Sequence, residues 1–223
     1  MRLLIAALLG TTIAAGCGAA APSPEELVDR AAEKVTSLKS ATFDLVRVGD
    51  PVPLDPRTGL RFTAATGEYL APDRVHAKVK VVAAGAVLAV DALWLPDGTF
   101  VSNPFTGAYE KLPAALGFDP AALVRSEIAA VLRGSLRDLT FASKDRVKVG
   151  ASEAYQLKGT VDGARLRGIT GGVIVQGTHT IDLWIDAASF HLLRLVVTEP
   201  AGATSGWRLE LSGFDKPVEI KGP

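Results

Sequence analysis

One cysteine, Cys17, stands in 223 residues, and the stretch Ile13-Ala14-Ala15-Gly16-Cys17 suits one chemistry: attachment of that thiol to a lipid beside a proteolytic cut. Arg2 supplies the positive start of a secretory signal peptide. Leu3 to Ala15 are thirteen uncharged, mostly apolar residues, and small side chains precede the cysteine, as cleavage requires. The run is shorter than the roughly 20 residues of a bilayer-spanning helix. The competing account is a leftover thiol in an ordinary signal peptide, with a cysteine at the cleavage site by coincidence.

Other residues could in principle do chemistry, but their spacing argues against it. Gly150-Ala151-Ser152-Glu153-Ala154 nearly matches the Gly-x-Ser-x-Gly elbow of hydrolases. Its last glycine is absent, and it lies between two strand-like stretches, whereas the elbow needs a strand-to-helix turn. A β-turn is expected there. His76, His179 and His191 are widely separated and lack paired metal-ligand spacing, so each is placed on a polar strand face or at a strand end and no metal is expected. Asp182 and Asp186 share a face of one strand with Trp184 between them, but their Cα atoms would be about 13 Å apart, too far for concerted carboxylate chemistry. Trp184 and Trp207 are candidates to pair across strands, edge a cavity or sit at a membrane interface. No glycine-rich nucleotide loop occurs, and no cofactor is indicated. The chain is not expected to be an enzyme.

The segment ending at Cys17 also resembles a bacterial lipobox, with Ala14 where that pattern more often has Leu or Val. The likeness implies that residues 1–16 are removed and that Cys17 becomes the first residue, carrying a thioether-linked diacylglycerol and usually an N-acyl chain. At about 0.8 kcal/mol per buried CH₂, one chain holds marginally and two or three hold firmly. The expected location is the cell membrane, lipid-anchored on its extracytoplasmic side. Residues 17–23 read as a lipidated tether, and 24–223 as a single domain.

Composition narrows the class. Twenty-four basic residues balance 24 acidic ones without blocks of like charge, which argues against nucleic acid as a partner. Without a second cysteine the mature domain has no internal disulfide, so apolar burial must stabilise it. The 48% hydrophobic fraction with only 6% aromatics suits an aliphatic interior, filled or hollow.

Local signals place the elements. Ser23-Pro24-Glu25-Glu26 is a capping box with proline at the first helical position, and Leu27, Ala31, Val35 and Leu38 recur on one face, which predicts an amphipathic helix over 24–38. Asp119-Pro120 opens a second helix with an apolar stripe of Leu123, Val124, Ile128, Val131 and Leu132, ended by Gly134. Val75, Ala77, Val79 and Val81 alternate with His76, Lys78 and Lys80 as a strand, dry on one face. Residues 86–95 form another, and Pro96-Asp97-Gly98 turns into Thr99-Phe100-Val101 as a hairpin. Strands follow around Tyr155–Val161 and at 179–186, 190–198 and 207–213. A short helix is expected at Ala164–Gly168, before Gly171-Gly172, and an antiparallel meander is the economical topology.

Three C-terminal stretches, Ile181-Asp182-Leu183-Trp184-Ile185-Asp186, Leu192-Leu193-Arg194-Leu195 and Phe214-Asp215-Lys216-Pro217-Val218, resemble the end of the mycobacterial LppX/LprG-type lipoproteins. Leu38-Lys39-Ser40-Ala41-Thr42-Phe43, Gly67-Glu68-Tyr69-Leu70-Ala71-Pro72-Asp73, Asn103-Pro104-Phe105-Thr106-Gly107 and Tyr155-Gln156-Leu157-Lys158-Gly159 extend the likeness over most of the chain. None is a catalytic signature. The resemblance implies an α+β fold: a curved antiparallel β-sheet, or half-barrel, whose concave face is covered by helices around a hydrophobic cavity for acyl chains, similar to the carriers LolA and LolB.

On this reading the candidate lining is Val75, Val79, Val81, Leu88, Val90, Leu157, Ile185, Leu195 and Val197; the plain alternative is that these side chains only pack against the helices. The expected function is to bind an acylated lipid or glycolipid and transfer it across the envelope, with the cell membrane and a membrane lipid transporter as further partners. A surface interaction scaffold is the alternative, and an esterase comes third.

Overall fold

The computed structural model describes residues 22–55, 59–112, 120–170, 172–200 and 205–223. Cys17, the expected signal peptide 1–16 and most of the expected tether 17–23 lie outside them, as do Asp119 and Gly171.

The chain opens with α1 (Pro24–Thr36). The Ser23 hydroxyl oxygen accepts from the Glu26 amide at 3.2 Å, filling one of the donors a helix start leaves unpaired. The carboxylate of Glu26 accepts from Arg30 at 2.5 Å, an i,i+4 pair, so the box is closed from the serine side. Leu27, Val28, Ala31, Ala32 and Val35 are buried on one face.

Thirteen strands then form one antiparallel sheet: β1 (Ser40–Val48), β2 (Val52–Asp55), β3 (Leu60–Leu70), β4 (Arg74–Ala83), β5 (Ala86–Leu95), β6 (Gly98–Ser102), β7 (Tyr109–Lys111), β8 (Leu136–Phe141), β9 (Val147–Val149), β10 (Ser152–Asp162), β11 (Thr178–Asp186), β12 (Leu192–Thr198) and β13 (Gly206–Ser212). The order is β7-β6-β5-β4-β3-β1-β13-β12-β11-β10-β8, with β2 on β3 and β9 on β10. Sheet and helices make the expected curved half-barrel of an α+β fold. A simple meander is not what joins it. Two meanders, β3–β7 and β10–β13, are fused by β1, which pairs with β3 on one side and β13 on the other. That pairing needs Phe43 and Leu45 to meet Leu211 and Leu209 from the far end of the chain, a contact that local periodicity does not encode.

Two helical segments complete the covering. α2 (Pro120–Ala122) runs through a π-helical turn (Leu123–Glu127) into α3 (Ile128–Leu132), and Gly134, at φ 82°, follows. The expected apolar stripe is buried as a whole: Leu123, Val124, Ile128, Val131 and Leu132. α4 (Gly163–Leu166) starts on Asp162, whose carboxylate accepts from the Ala164 amide at 2.8 Å. α1 lies against α3, β8, β11 and β12, while α2 touches β4.

Gly67 in β3 permits a close approach of β3 to β4. A Cβ built there would lie 2.1 Å from the His76 carbonyl oxygen in β4, so only glycine allows the two backbones to come so close.

Candidate functional site

Cross-strand register makes the concave face a set of transverse rows. One runs Val90, Val79, Ala65, Leu45, Leu209, Leu195, Leu183 and Leu157, each paired with the next across eight strands from β5 to β10. A second row, Val101, Ala92, Ala77, Gly67, Phe43 and Leu211, sets four small or short side chains in β6 to β3 beside one large ring. Paired residues of antiparallel strands share a face, so each row is continuous apolar surface.

All nine candidate lining residues are on this face, in two groups. Leu157, Ile185, Leu195 and Val197 are fully buried where α1 covers β11 and β12. Val75 and Val81 are also buried, and Val79 is 9% exposed. Leu88 and Val90, with Trp94 and Val101 beside them, remain half-buried against the same cluster. Burying an aliphatic side chain contributes about 1.5–3 kcal/mol, so the half-buried side retains unused apolar surface.

Polar groups that the spacing arguments overlooked sit at the end of this face where β1 and β12 finish. Arg47 donates to the Glu199 carboxylate and, at 3.2 Å, to the Gly206 carbonyl, while its guanidinium lies 5.4 Å over the Trp207 ring. Phe62 stacks on the other partner of this group, Trp207, at 5.6 Å. The Arg47 hydrogen bond, with a smaller one from Ser205, outweighs burial and holds the Glu199 carboxyl below its ordinary range. His179 was expected on a polar strand face or at a strand end. It does lie at the end of a strand, second in β11, but it is 3% exposed and pairs with Val161 on the apolar side. Its Nε2 is 3.0 Å from the Gln176 carbonyl, and its Nδ1, like the indole N–H groups of Trp94 and Trp207, is buried without a protein partner. Only the parity of β11, with Ile181, Leu183 and Ile185 dry, could have shown this.

Trp184 and Trp207 do not pair. Trp184 faces outward opposite Arg194, whose guanidinium lies 5.2 Å above its ring, and Trp207 faces inward. A shallow cleft of about 360 Å³ lined by Arg74, Leu95, Pro96, Asp97 and Gly222 lies at the β5–β6 turn, away from the rows.

Residues 23–220 match the family described as LppX_LprAFG lipoprotein. The chain belongs to that family. The crystal structure of LprF from Mycobacterium bovis is 19% identical, superposes with a TM-score of 0.71, and is covered over 99% of its length by 91% of this chain. LppX from Mycobacterium tuberculosis is 17% identical with a TM-score of 0.64, covering 89% of this chain and 98% of its own. These likenesses show a shared fold. No curated protein matches the sequence significantly.

In this LppX_LprAFG member the residues with catalytic potential are occupied structurally. Gly150 and Ala151 form the turn between β9 and β10, and Ser152 begins β10, so the elbow-like motif is a β-turn. The Ser152 hydroxyl joins a set of donors on Asp186 that includes the amides of Ala188 at 3.0 Å and Ser189 at 2.7 Å and the Ser189 hydroxyl at 2.8 Å. Burial pushes the Asp186 carboxyl up, and these hydrogen bonds more than offset it, leaving it below its ordinary value. His191 Nδ1 contacts the Ser189 hydroxyl at 2.9 Å, and its ring stacks on Phe214 at 4.2 Å. The order is carboxylate, hydroxyl, imidazole. It is the Ser189 hydroxyl, not that of Ser152, that lies between Asp186 and His191, and it donates to Asp186, so the arrangement differs from the carboxylate, imidazole, hydroxyl order of a nucleophilic relay. Asp182 faces Lys158; its carboxyl is raised by burial, and the lysine charge opposes this. His76 lies 3.6 Å from Asp91 on the outer face. Among the described residues no three metal-ligating side chains converge, and no helix is long and apolar enough to cross a membrane.

Proposed function

We propose that this lipoprotein is a carrier moored by lipidated Cys17 to the outer side of the cell membrane. It takes an acyl chain of a lipid or glycolipid between the sheet and its helical cover and transfers it across the envelope to a membrane transporter or other acceptor. Val75, Val79, Val81, Leu88 and Val90 contact the chain from one side and Leu157, Ile185, Leu195 and Val197 from the other. The observation that carries this reading is the half-buried patch of Leu88, Val90, Trp94 and Val101, continuous by register with a fully buried aliphatic row. Alkyl surface exposed to water costs about 25 cal/mol per Å², so a long chain crosses an aqueous gap slowly unless a protein shields it.

A non-transporting scaffold is the second reading, favoured by the complete burial of Leu157, Ile185, Leu195 and Val197 against the helices. Native mass spectrometry of the purified protein separates the two. A carrier retains acyl lipid as discrete added masses that organic extraction removes. A protein that purifies without lipid, and takes none up from micelles, is a scaffold.

A further inference from the structure

Strand directions assign every connection to one of two rims of the half-barrel. Because β1 runs away from α1 and the sheet is antiparallel throughout, the rim where β1 ends carries the β1–β3 connection with β2, and the β4–β5, β6–β7, β10–β11 and β12–β13 connections. The opposite rim carries the β3–β4, β5–β6 and β11–β12 turns and the C-terminal tail.

Exposed apolar side chains are distributed unevenly between them. Among the described residues seven large hydrophobic side chains are exposed, and six belong to the first rim: Val48, Leu54, Val87, Phe105, Val173 and Val175. The seventh, Phe141, ends β8 beside Leu157, midway along β10, and the opposite rim carries none of the seven. Phe105 is 84% exposed on a turn braced by Asn103, whose side-chain oxygen accepts from the Phe105 and Thr106 amides. Scattered exposed aliphatics are ordinary on a protein surface, but a set confined to one end marks a contact face.

Charge specifies what that face contacts. Residues 81–90 and 101–109, which include two of the rim connections, hold no charged side chain, and 163–177 hold Arg165 and Arg167 with no acidic residue. Both arginines are exposed, and among the described residues no carboxylate pairs with either. Exposed acids on the first rim include Asp50 and, at the end of β10, Asp162, whose carboxylate is engaged by the Ala164 amide. The opposite rim mixes Asp73, Asp97, Asp215 and Glu219 with Lys216 and Lys221. Apolar tips flanked by unpaired arginines match an anionic bilayer surface, where side chains enter the headgroup boundary and guanidinium groups meet phosphate oxygens.

We infer that the rim bearing Val87, Phe105, Val173 and Val175 seats on an anionic membrane surface, held by Arg165 and Arg167. The seating orients the whole half-barrel relative to the bilayer, which a tether alone does not do. It relies on the proposed Cys17 anchor only to bring the rim within reach, and it holds whether or not the interior carries lipid.

The test uses the mature lipidated chain in phosphatidylcholine vesicles with and without phosphatidylglycerol. Since Cys17 is the sole native cysteine, Val175→Cys, Phe105→Cys and, in the β11–β12 turn of the opposite rim, Ala188→Cys can each carry a polarity-sensitive fluorophore quenchable by doxyl lipids. Labels at 175 and 105 become quenched when phosphatidylglycerol is present, and the label at 188 does not. Arg165→Glu with Arg167→Glu lowers the docked-to-undocked ratio about fivefold per arginine while the protein stays on the vesicles. Equal quenching at 175 and 188, or quenching at 175 indifferent to phosphatidylglycerol and to the arginines, overturns the seating. A mass showing Cys17 without lipid removes the anchor instead, and flotation of that chain with the same two vesicle types then decides the seating by the same criteria.

Discussion

Arg47 and Glu199, 152 residues apart in sequence, meet in an ion pair whose side chains are only 7% and 19% exposed, at the end of the apolar face where Trp207 lies beneath the guanidinium. Removing one member strands a charge in low dielectric, so Glu199→Ala is expected to lower unfolding free energy on the order of 3 kcal/mol. Arg47→Met combined with Glu199→Leu should recover most of that loss. Chemical denaturation of the two variants beside the parent checks both outcomes.

Acid sensitivity follows from the same groups. Burial first, then the nearby Lys34 charge, depress His191 from its ordinary 6.5, opposed by Asp215 and Asp186; Glu199 and Asp186 are depressed from 4.5 and 3.8. A group that binds protons more weakly when folded stabilises the fold above its unfolded value and loses that contribution as pH falls through its folded value. Stability should therefore decline first as pH drops below 6.5 and more steeply below 4.5, with Asp182, raised by burial, working weakly in the opposite sense. Unfolding curves from pH 8 to 3 should show the first decline vanish in His191→Asn.

Gly67→Ala forces a methyl group into the space between β3 and β4 and should cost about 1–3 kcal/mol through backbone displacement. Gly85→Ala, where nothing lies within 4 Å but φ is 82°, is the comparison: its cost is local strain in the β4–β5 turn. Thermal melts distinguish a sheet-wide loss at Gly67 from a smaller one at Gly85.

Ser152→Ala should leave any ester-cleaving background unchanged and cost about 1 kcal/mol, the worth of one hydrogen bond to the Asp186 turn. Loss of turnover with p-nitrophenyl esters in this variant would reinstate a hydrolase.

What could be read in the sequence was whatever local physics encodes. Ser23 capping α1, the alternation of Val75 to Val81 in β4 and the Pro96-Asp97-Gly98 turn into β6 depend on neighbours within a few residues, and each is where the spacing put it. The first helix stops at Thr36, not Leu38: the Lys34 carbonyl that the Leu38 amide would meet in a continued helix accepts from the Ser37 hydroxyl at 3.1 Å, and the Leu38 amide turns to Val35 instead. The place of β1 between β3 and β13 and the Arg47–Glu199 pair were not legible, since each depends on which distant strand lies alongside, while the burial of His179 was open to reading from the parity it shares with Ile181, Leu183 and Ile185. Trp184 and Trp207 are separated by strand parity, which becomes visible only once β11 to β13 are in register. The π-turn at Leu123–Glu127 left no signature in an otherwise regular apolar stripe.

The central claim is that the half-buried side of the concave face is the place an acyl chain occupies, and occupancy by a fluorescent fatty-acyl probe tests it most directly. Leu88→Trp and Val90→Trp point new bulk into that space, and Ala89→Trp adds the same bulk on the outer face of β5. Overfilling a packed space costs about 1–3 kcal/mol, so the two inward variants should bind the probe about tenfold more weakly while Ala89→Trp matches the parent. Unaltered binding in Leu88→Trp and Val90→Trp, with the fold intact by circular dichroism, would contradict it.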